Sequence, residues 1–277
     1  MENAADHKSG RPLASLEWLI AHHEAKRAHR LNIVSKWPIE GGDSVLDIAA
    51  GPGFWTPMIR EKNGPEGVVV NTDIAWDLLK ESSIRNPNTD WSSQCFNVSS
   101  TMEELPFKEN SFDVVHAGNC YAYTNNPIKL VRQHSQYVKK RGYYIVRLWD
   151  NSATVYSHVD ESILFKVLSA AAESNTNTLG FNNYMGRNLY SICKSAGLND
   201  FSFTTNAVPI MGKLNHQEES YLRYKALWFA NQAKNKISGS LLKKWMSYFE
   251  PSSDNYILKL DDFYFCTLEM QVIWRST

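Results

Sequence analysis

Twelve residues, Val45-Leu-Asp-Ile-Ala-Ala-Gly-Pro-Gly-Phe-Trp-Thr56, narrow the choice of fold before anything else is read. Val45, Leu46 and Ile48 make a short apolar run suited to a strand buried on both faces, and Ala49-Ala-Gly-Pro-Gly53 then forces a tight turn. A helix is expected from Thr56, with Pro57 tolerable in its first turn. Small residues at 49, 51 and 53 let bare backbone approach a ligand lying across the strand ends. The order strand, small-residue turn, helix reads as a ligand cradle.

A second apolar run, Gly67-Val-Val-Val-Asn-Thr72, ends at Asp73, about twenty residues after Gly53. At that spacing an acidic side chain reaches ribose hydroxyls, with Ile74 beside it. Three further segments follow in order. Met102-Glu-Glu-Leu-Pro-Phe-Lys-Glu-Asn-Ser-Phe-Asp-Val-Val-His116 leads into a strand that delivers Gly118-Asn-Cys-Tyr-Ala-Tyr123 to the same edge as Gly51 and Asp73. Val131 to Gly142 precedes Tyr143-Tyr-Ile-Val-Arg-Leu148, and Gly186 to Leu198 ends in Ala-Gly before another strand.

Together these segments resemble class I S-adenosylmethionine (SAM) dependent methyltransferases, in the ubiquinone-methyltransferase-like branch known as methyltransferase type 11. The glycine motif of that family is roughly Asp-x-Gly-x-Gly-x-Gly, which here reads Asp47-x-Ala49-x-Gly51-x-Gly53 with alanine in the first glycine place. The branch joins strands three and four with Asp-Ala-Glu-x-Leu-Pro-Phe and then Ser-Phe-Asp-x-Val. Aligned on Leu105-Pro-Phe107, its adenine-contacting Asp falls on Thr101 and the next residue on Met102. Thr101 offers one hydroxyl and no charge. The resemblance covers roughly residues 41–206. It implies SAM as cofactor, held at Asp47, Ala49, Gly51, Gly53, Asp73, Ile74, Thr101, Met102 and Asn119, with bare backbone at Gly51 and Gly53 facing it.

The implied architecture is a Rossmann-like, seven-stranded, mostly parallel α/β sheet with helices on both faces. Residues 1–40 are expected to be an N-terminal helical cap and residues 41–277 the methyltransferase domain. Residues Met1 to Arg11 read as a loose polar start, and Leu13 to Trp37 as one helix stopped by Pro38. That helix carries an apolar stripe and a basic set, His22, His23, Lys26, Arg27, His29 and Arg30. In the family such a helix lies over the cofactor and can meet the methionine carboxylate. Asn86-Pro-Asn88 breaks a helix over Leu78 to Ile84. Two stretches exceed the bare fold, at about 149–185 and 209–258, and would hang over the carboxyl edge as a lid. The second carries an aromatic stripe, Tyr221, Tyr224, Trp228, Trp245 and Phe249, which is first of all a packing surface.

Lys plus Arg equals Asp plus Glu at 29 each, so no field draws a polyanion, and nucleic acid is not the expected partner. Four cysteines without Cys-x-x-Cys spacing read as reduced core thiols of a cytoplasmic protein. No apolar run approaches the length of a membrane span. No His, Cys and carboxylate set stands at ligand spacing, so no metal is expected. The oligomeric state stays open, a homodimer included.

Methyl transfer from a sulfonium needs in-line placement, exclusion of water and sometimes a base. Tyr121, His158 and His22 are the candidates for that base, although no shared spacing fixes their mutual geometry. The expected substrate is a small, largely apolar or aromatic metabolite of secondary-metabolite, quinone or isoprenoid type, methylated at oxygen, nitrogen or carbon. Lys26, Arg27, Arg30 and Arg147 leave room for an anionic head group on it. Two other classes compete. An NAD(P)-dependent oxidoreductase would want a third glycine after Gly51-x-Gly53, where Thr56 stands. A non-methylating relative, a cyclase or an interaction module, would keep the fold alone.

Overall fold

The structure, a computed structural model, describes residues 13–85, 94–176 and 181–277. Its strands are β1 (Ser44–Ile48), β2 (Val68–Asp73), β3 (Cys95–Ser99), β4 (Phe112–Gly118), β5 (Val138–Tyr156), β6 (Ser202–Met211) and β7 (Tyr264–Arg275). They form one sheet in the order β3-β2-β1-β4-β5-β7-β6. The first five are mutually parallel, while β7 runs antiparallel to β5 and β6. Strand order reverses direction between β1 and β4, which places a crevice above their carboxyl ends.

Strict alternation along the central strands sorts side chains onto two faces. Leu46, Ile48, Val115, Ala117, Val146 and Leu148 meet α5 (Pro127–Ser135) and α7 (Leu189–Ser195) in one apolar cluster. Val45, Val114 and Ile145 meet Trp37, Trp55 and the helices α2 (Arg27–Ser35) and α3 (Thr56–Asn63) in another. The same parity puts Asp47, His116 and Arg147 on the second face, beneath Trp37 and Trp55. Polar residues therefore occupy the interior of three buried strands on one side only.

The N-terminal basic stretch is two helices and not the expected one. Ser15 caps α1 (Leu16–Glu24), which ends at Ala25, and α2 begins after Lys26, whose φ of −119° and ψ of 13° break the helical ladder. The break turns the Lys26 side chain inward. A second difference lies before Tyr143, where the residues from Val138 to Gly142, read as preceding the strand, are already part of β5. Phe112 pairs with Val138 and Val114 with Tyr143, so residues 139–142 bulge out of the ladder. Arg141, at φ 68°, makes the bulge.

Beyond the sheet edge β5 continues to Tyr156, still paired with β7 as far as Phe265. On this ribbon lie α6 (Glu161–Thr176), α8 (His216–Ala233) and α9 (Gly239–Ser247), with Asn215 and Glu218 forming a capping box on α8. Tyr156, Tyr221, Phe229, Trp245, Phe249 and Phe265 pack on one another inside this layer, and the Trp245 indole N–H donates to the Ala226 carbonyl at 2.9 Å. The aromatic stripe of the last insertion, read first of all as a packing surface, thus fills the layer's own core, where ring area is worth more than at a wet surface. Among the described residues no helix is long and apolar enough to cross a membrane. The breaker at Asn86 to Asn88, beyond α4 (Trp76–Arg85), and the loose start at Met1 to Arg11 lie outside the described residues.

Candidate active site at the carboxyl edge of the sheet

After β1 the chain turns through three left-handed residues, Ala49 at φ 54°, Gly51 at 56° and Gly53 at 67°. The Ala50 N–H donates to the Thr72 carbonyl at 2.8 Å, tying the turn to the end of β2. There Asp73 accepts from the Gly51 N–H and from the Ala75 N–H, one at each carboxylate oxygen and both at 2.8 Å. Burial raises the Asp73 pKa above the ordinary carboxylate value, and these N–H donors pull it back. Each oxygen keeps acceptor capacity toward the crevice. A Cβ on Gly51 would meet nothing within 4 Å, so the space above its backbone is open to a ligand.

Gly53 has a second constraint. A Cβ there would stand 2.6 Å from Cβ and Oγ of Ser82 on α4, so helix packing by itself already requires glycine. Asp47 also holds more than a loop. Its Oδ1 accepts from Nδ1 of His116 at 2.7 Å, while its Oδ2, fully buried, has no protein partner. An orphaned acceptor below the turn suits a donor brought by a ligand. His116 is thus bonded inside the sheet.

Thr101 accepts from the Glu104 N–H at 3.2 Å and is half-buried, and Met102 sends its side chain into the core while its carbonyl accepts from His134 at 2.7 Å. Asn119, left-handed at φ 60°, donates its N–H to the Arg147 carbonyl at 2.7 Å, and Ile74 stays half-buried beside Asp73. The structure therefore brings Ala49, Gly51, Asp73 and Asn119 to the ends of β1, β2 and β4.

It does not bring the three base candidates together. Tyr121 is fully buried with its hydroxyl bonded to Tyr144 and to Nδ1 of His134, on the α5 face, so it is a core residue. His158 lies past the far end of β5 at φ 61°, 3.1 Å from Asp262 at the surface. The reason is the length of β5, whose continuation past the edge carries His158 away from the cradle. His22 alone faces the crevice side, packed against Trp18, Trp149 and Tyr221. Burial and the neighbouring Lys26 and Arg30 push it well below the ordinary histidine value.

Around His22 the α1–α2 pair completes the polar layer of the sheet. Arg30 donates to Nδ1 of His23 at 2.8 Å and to Nδ1 of His22 at 3.0 Å, with its guanidinium 4.6 Å over Trp55. Arg147 stacks 3.9 Å over the same ring and pairs with Glu269 of β7. His29 reaches the other Glu269 oxygen at 2.9 Å, and Trp37 donates to Gln271 at 2.9 Å. Because Phe54 stacks on His23 at 4.4 Å, the helix pair and the glycine turn are one packed unit.

Comparison with known proteins decides what kind of unit this is. Residues 46–146 match the family model described as "Methyltransferase domain". Those residues are a methyltransferase domain. The match begins in β1 and ends in β5, so it contains the turn, Asp73 and Asn119. Demethylmenaquinone methyltransferase from Listeria welshimeri is 30% identical over 104 residues, 38% of this chain and 44% of that protein. A ubiquinone/menaquinone biosynthesis C-methyltransferase from Xanthomonas oryzae pv. oryzae is 36% identical over 89 residues, 32% of this chain and 35% of that protein. The chain spans less than half the length of the curated relatives it matches. Among solved structures, the YcgJ protein from Bacillus subtilis superposes with a TM-score of 0.56 at 14% identity, over 90% of this chain and 98% of its own. Phosphoethanolamine N-methyltransferase 2 from Haemonchus contortus, solved with SAM, gives 0.54 at 16% identity, over 93% and 56%. The methyltransferase domain has the Rossmann-like fold of the SAM-dependent class, and SAM is the cofactor of that class.

Proposed function

We propose that this chain transfers the methyl group of SAM to a small organic acceptor, largely apolar or aromatic in its body, at oxygen, nitrogen or carbon. The observation that carries this reading is the Asp73 carboxylate, held by the Gly51 and Ala75 N–H groups at the edge of an open left-handed turn. Its two oxygens suit the ribose hydroxyls of a nucleoside cofactor. The free Asp47 Oδ2 suits the cofactor's amino group, and Arg30, over Trp55 of the turn, suits its carboxylate. Ile74, Met102, Thr101 and Asn119 would border the adenine and the sulfur end. SAM, when bound, supplies an electrophilic methyl on a sulfonium; the protein's part is to hold both reactants in line and keep water out.

Helices α1 and α2 act as the cap of the site in this reading, and the α6, α8 and α9 layer as its lid. An aromatic acceptor is supported by the relatives named for menaquinone and ubiquinone biosynthesis and by Trp149, against His22, and the Tyr123–Phe181 pair, 4.4 Å apart. Asp47 ahead of the turn and Thr56 in place of a third glycine speak against NAD(P).

Calorimetry with S-adenosylhomocysteine (SAH) and with NAD tests the cofactor. SAH should bind and NAD should not. Asp73→Ala should weaken SAH by about 1.5–3 kcal/mol, the cost of hydrogen bonds to a charged acceptor. An unchanged dissociation constant would remove the nucleoside assignment. Labelled SAM incubated with a small-molecule extract tests the transfer itself, and a product-free reaction would favour the non-methylating relative.

A further inference from the structure

Four basic side chains meet under the helix cap with little to balance them. Lys26 is 2% exposed, Arg30 6%, Arg147 2% and Lys225 of α8 5%. Glu269 pairs with Arg147 and His29, and Asp47 with His116. Among the described residues Lys26, Arg30 and Lys225 have no carboxylate within ion-pairing distance. The Lys26 amine nitrogen lies 3.6 Å over the Trp149 ring and 4.6 Å over Tyr221, at 2.8 Å from Nε2 of His22. Lys225 donates to Oδ1 of Asn151 at 2.8 Å.

The two lysines converge by construction. Trp149 and Asn151 lie two residues apart where β5 leaves its regular ladder with β7, Trp149 carrying the Lys26 amine over its ring and Asn151 accepting from Lys225. Tyr221 and Lys225 are one turn apart on α8, on one stripe. Both amines therefore lie in the space between β5, α1 and α8, close enough that the charges of Lys225 and of Arg147 both act on Lys26.

We propose that Lys26 and Lys225, with Arg147 behind them, form an anion-binding subsite that takes a carboxylate or phosphate carried by the methyl acceptor. The proposal rests on the methyltransferase reading above and deepens it. Charge balance selects the acceptor as the source. SAM has one carboxylate, matched by Arg30 at the turn, against an ammonium and a sulfonium, so the cofactor adds positive charge to a region already rich in it. Buried charge of one sign is costly unless paired. Burial pushes Lys26 well below its ordinary value and Lys225 to about 7, so each amine gives up its proton more readily than an ordinary lysine. An anion placed between them restores both ammonium forms and gains charge-assisted hydrogen bonds in a dry site.

The test measures binding of inorganic phosphate, pyrophosphate and benzoate at constant ionic strength, with and without SAH, to the full chain and to Lys26→Met, Lys225→Met and the double variant. The native chain should bind at least one probe, and the phosphate and benzoate arms tell which anion the acceptor carries. The double variant should lose at least about tenfold in that affinity, the scale of one charge-assisted hydrogen bond or more, while SAH affinity holds. Methionine fills the lysine volume, and the SAH measurement reports that the variants are folded. No probe binding by the native chain, or equal binding by the double variant, overturns the subsite. Joint loss of SAH and probe also overturns it, by giving the lysines to the cofactor. Failure of SAH to bind the native chain overturns the methyltransferase reading instead.

Discussion

Gly53 is bare because α4 lies against it, and that separates it from Gly51, which is bare because its left-handed turn is open above. The two positions therefore respond differently to a methyl group. Gly53→Ala should destabilise the fold by about 1–3 kcal/mol through overpacking against Ser82, seen as a lowered melting temperature. Adding Ser82→Gly removes the colliding atoms, so the double variant should recover part of the loss even though glycine weakens a helix. If Gly53→Ala melts with the native chain, the packing account of this glycine is wrong. Asp47 shows the same point from the polar side, since one of its oxygens serves His116 and only the other is left for a ligand.

At the scale of elements, β7 supplies a buried carboxylate that balances the cap. Glu269 stands opposite Trp149 in the β5–β7 ladder and reaches both Arg147 and His29, which ties α2 to the middle of the sheet. Burial alone would raise its pKa, but Arg147, His29 and Lys26 hold it below the ordinary glutamate value. Glu269→Gln keeps the shape and removes the charge. It should cost about 3–5 kcal/mol in urea unfolding, because it leaves Arg147 buried beside an amide. Glu269→Gln combined with Arg147→Met should regain a good part of this. Native-like stability of the single variant would mean that the pair is hydrated in solution.

For the molecule as a whole, the buried amines make an alkaline shift in stability. Lys225 is held at about 7 when folded, against 10.5 for an ordinary lysine, so between those values the unfolded chain binds more protons. Stability from this group therefore rises with pH across that window, and the burial cost is fully present below pH 7; Lys26 acts in the same direction. Lys225→Met should raise the melting temperature at pH 6 and lose most of that gain by about pH 10. A gain that is flat with pH would assign it to packing. A stabilising change that abolishes anion binding would also show that the position is kept for function.

Much of this molecule is written locally. Alternation and small-residue turns suffice for β1, the glycine turn and Asp73, because strand burial and left-handed backbone are properties of a few consecutive residues. Segment order made the Rossmann-like sheet and its methyltransferase character legible, and the helices of the last insertion follow from their own periodicity and caps. What sequence could not supply was which distant side chains share a buried space. Tyr121 stood near the right edge in sequence but was turned into the core by the parity of its strand and turn, and His158 was carried away by the unforeseen length of β5. Asp47, His116, Arg147 and Glu269 sit on four strands far apart in the chain, and only sheet order and register set them side by side. The convergence of Lys26 and Lys225 depends on a break between α1 and α2, on α8 docking across β5, and on burial that strips water from both amines. Composition is neutral overall, so the local excess of positive charge exists only once the chain is folded.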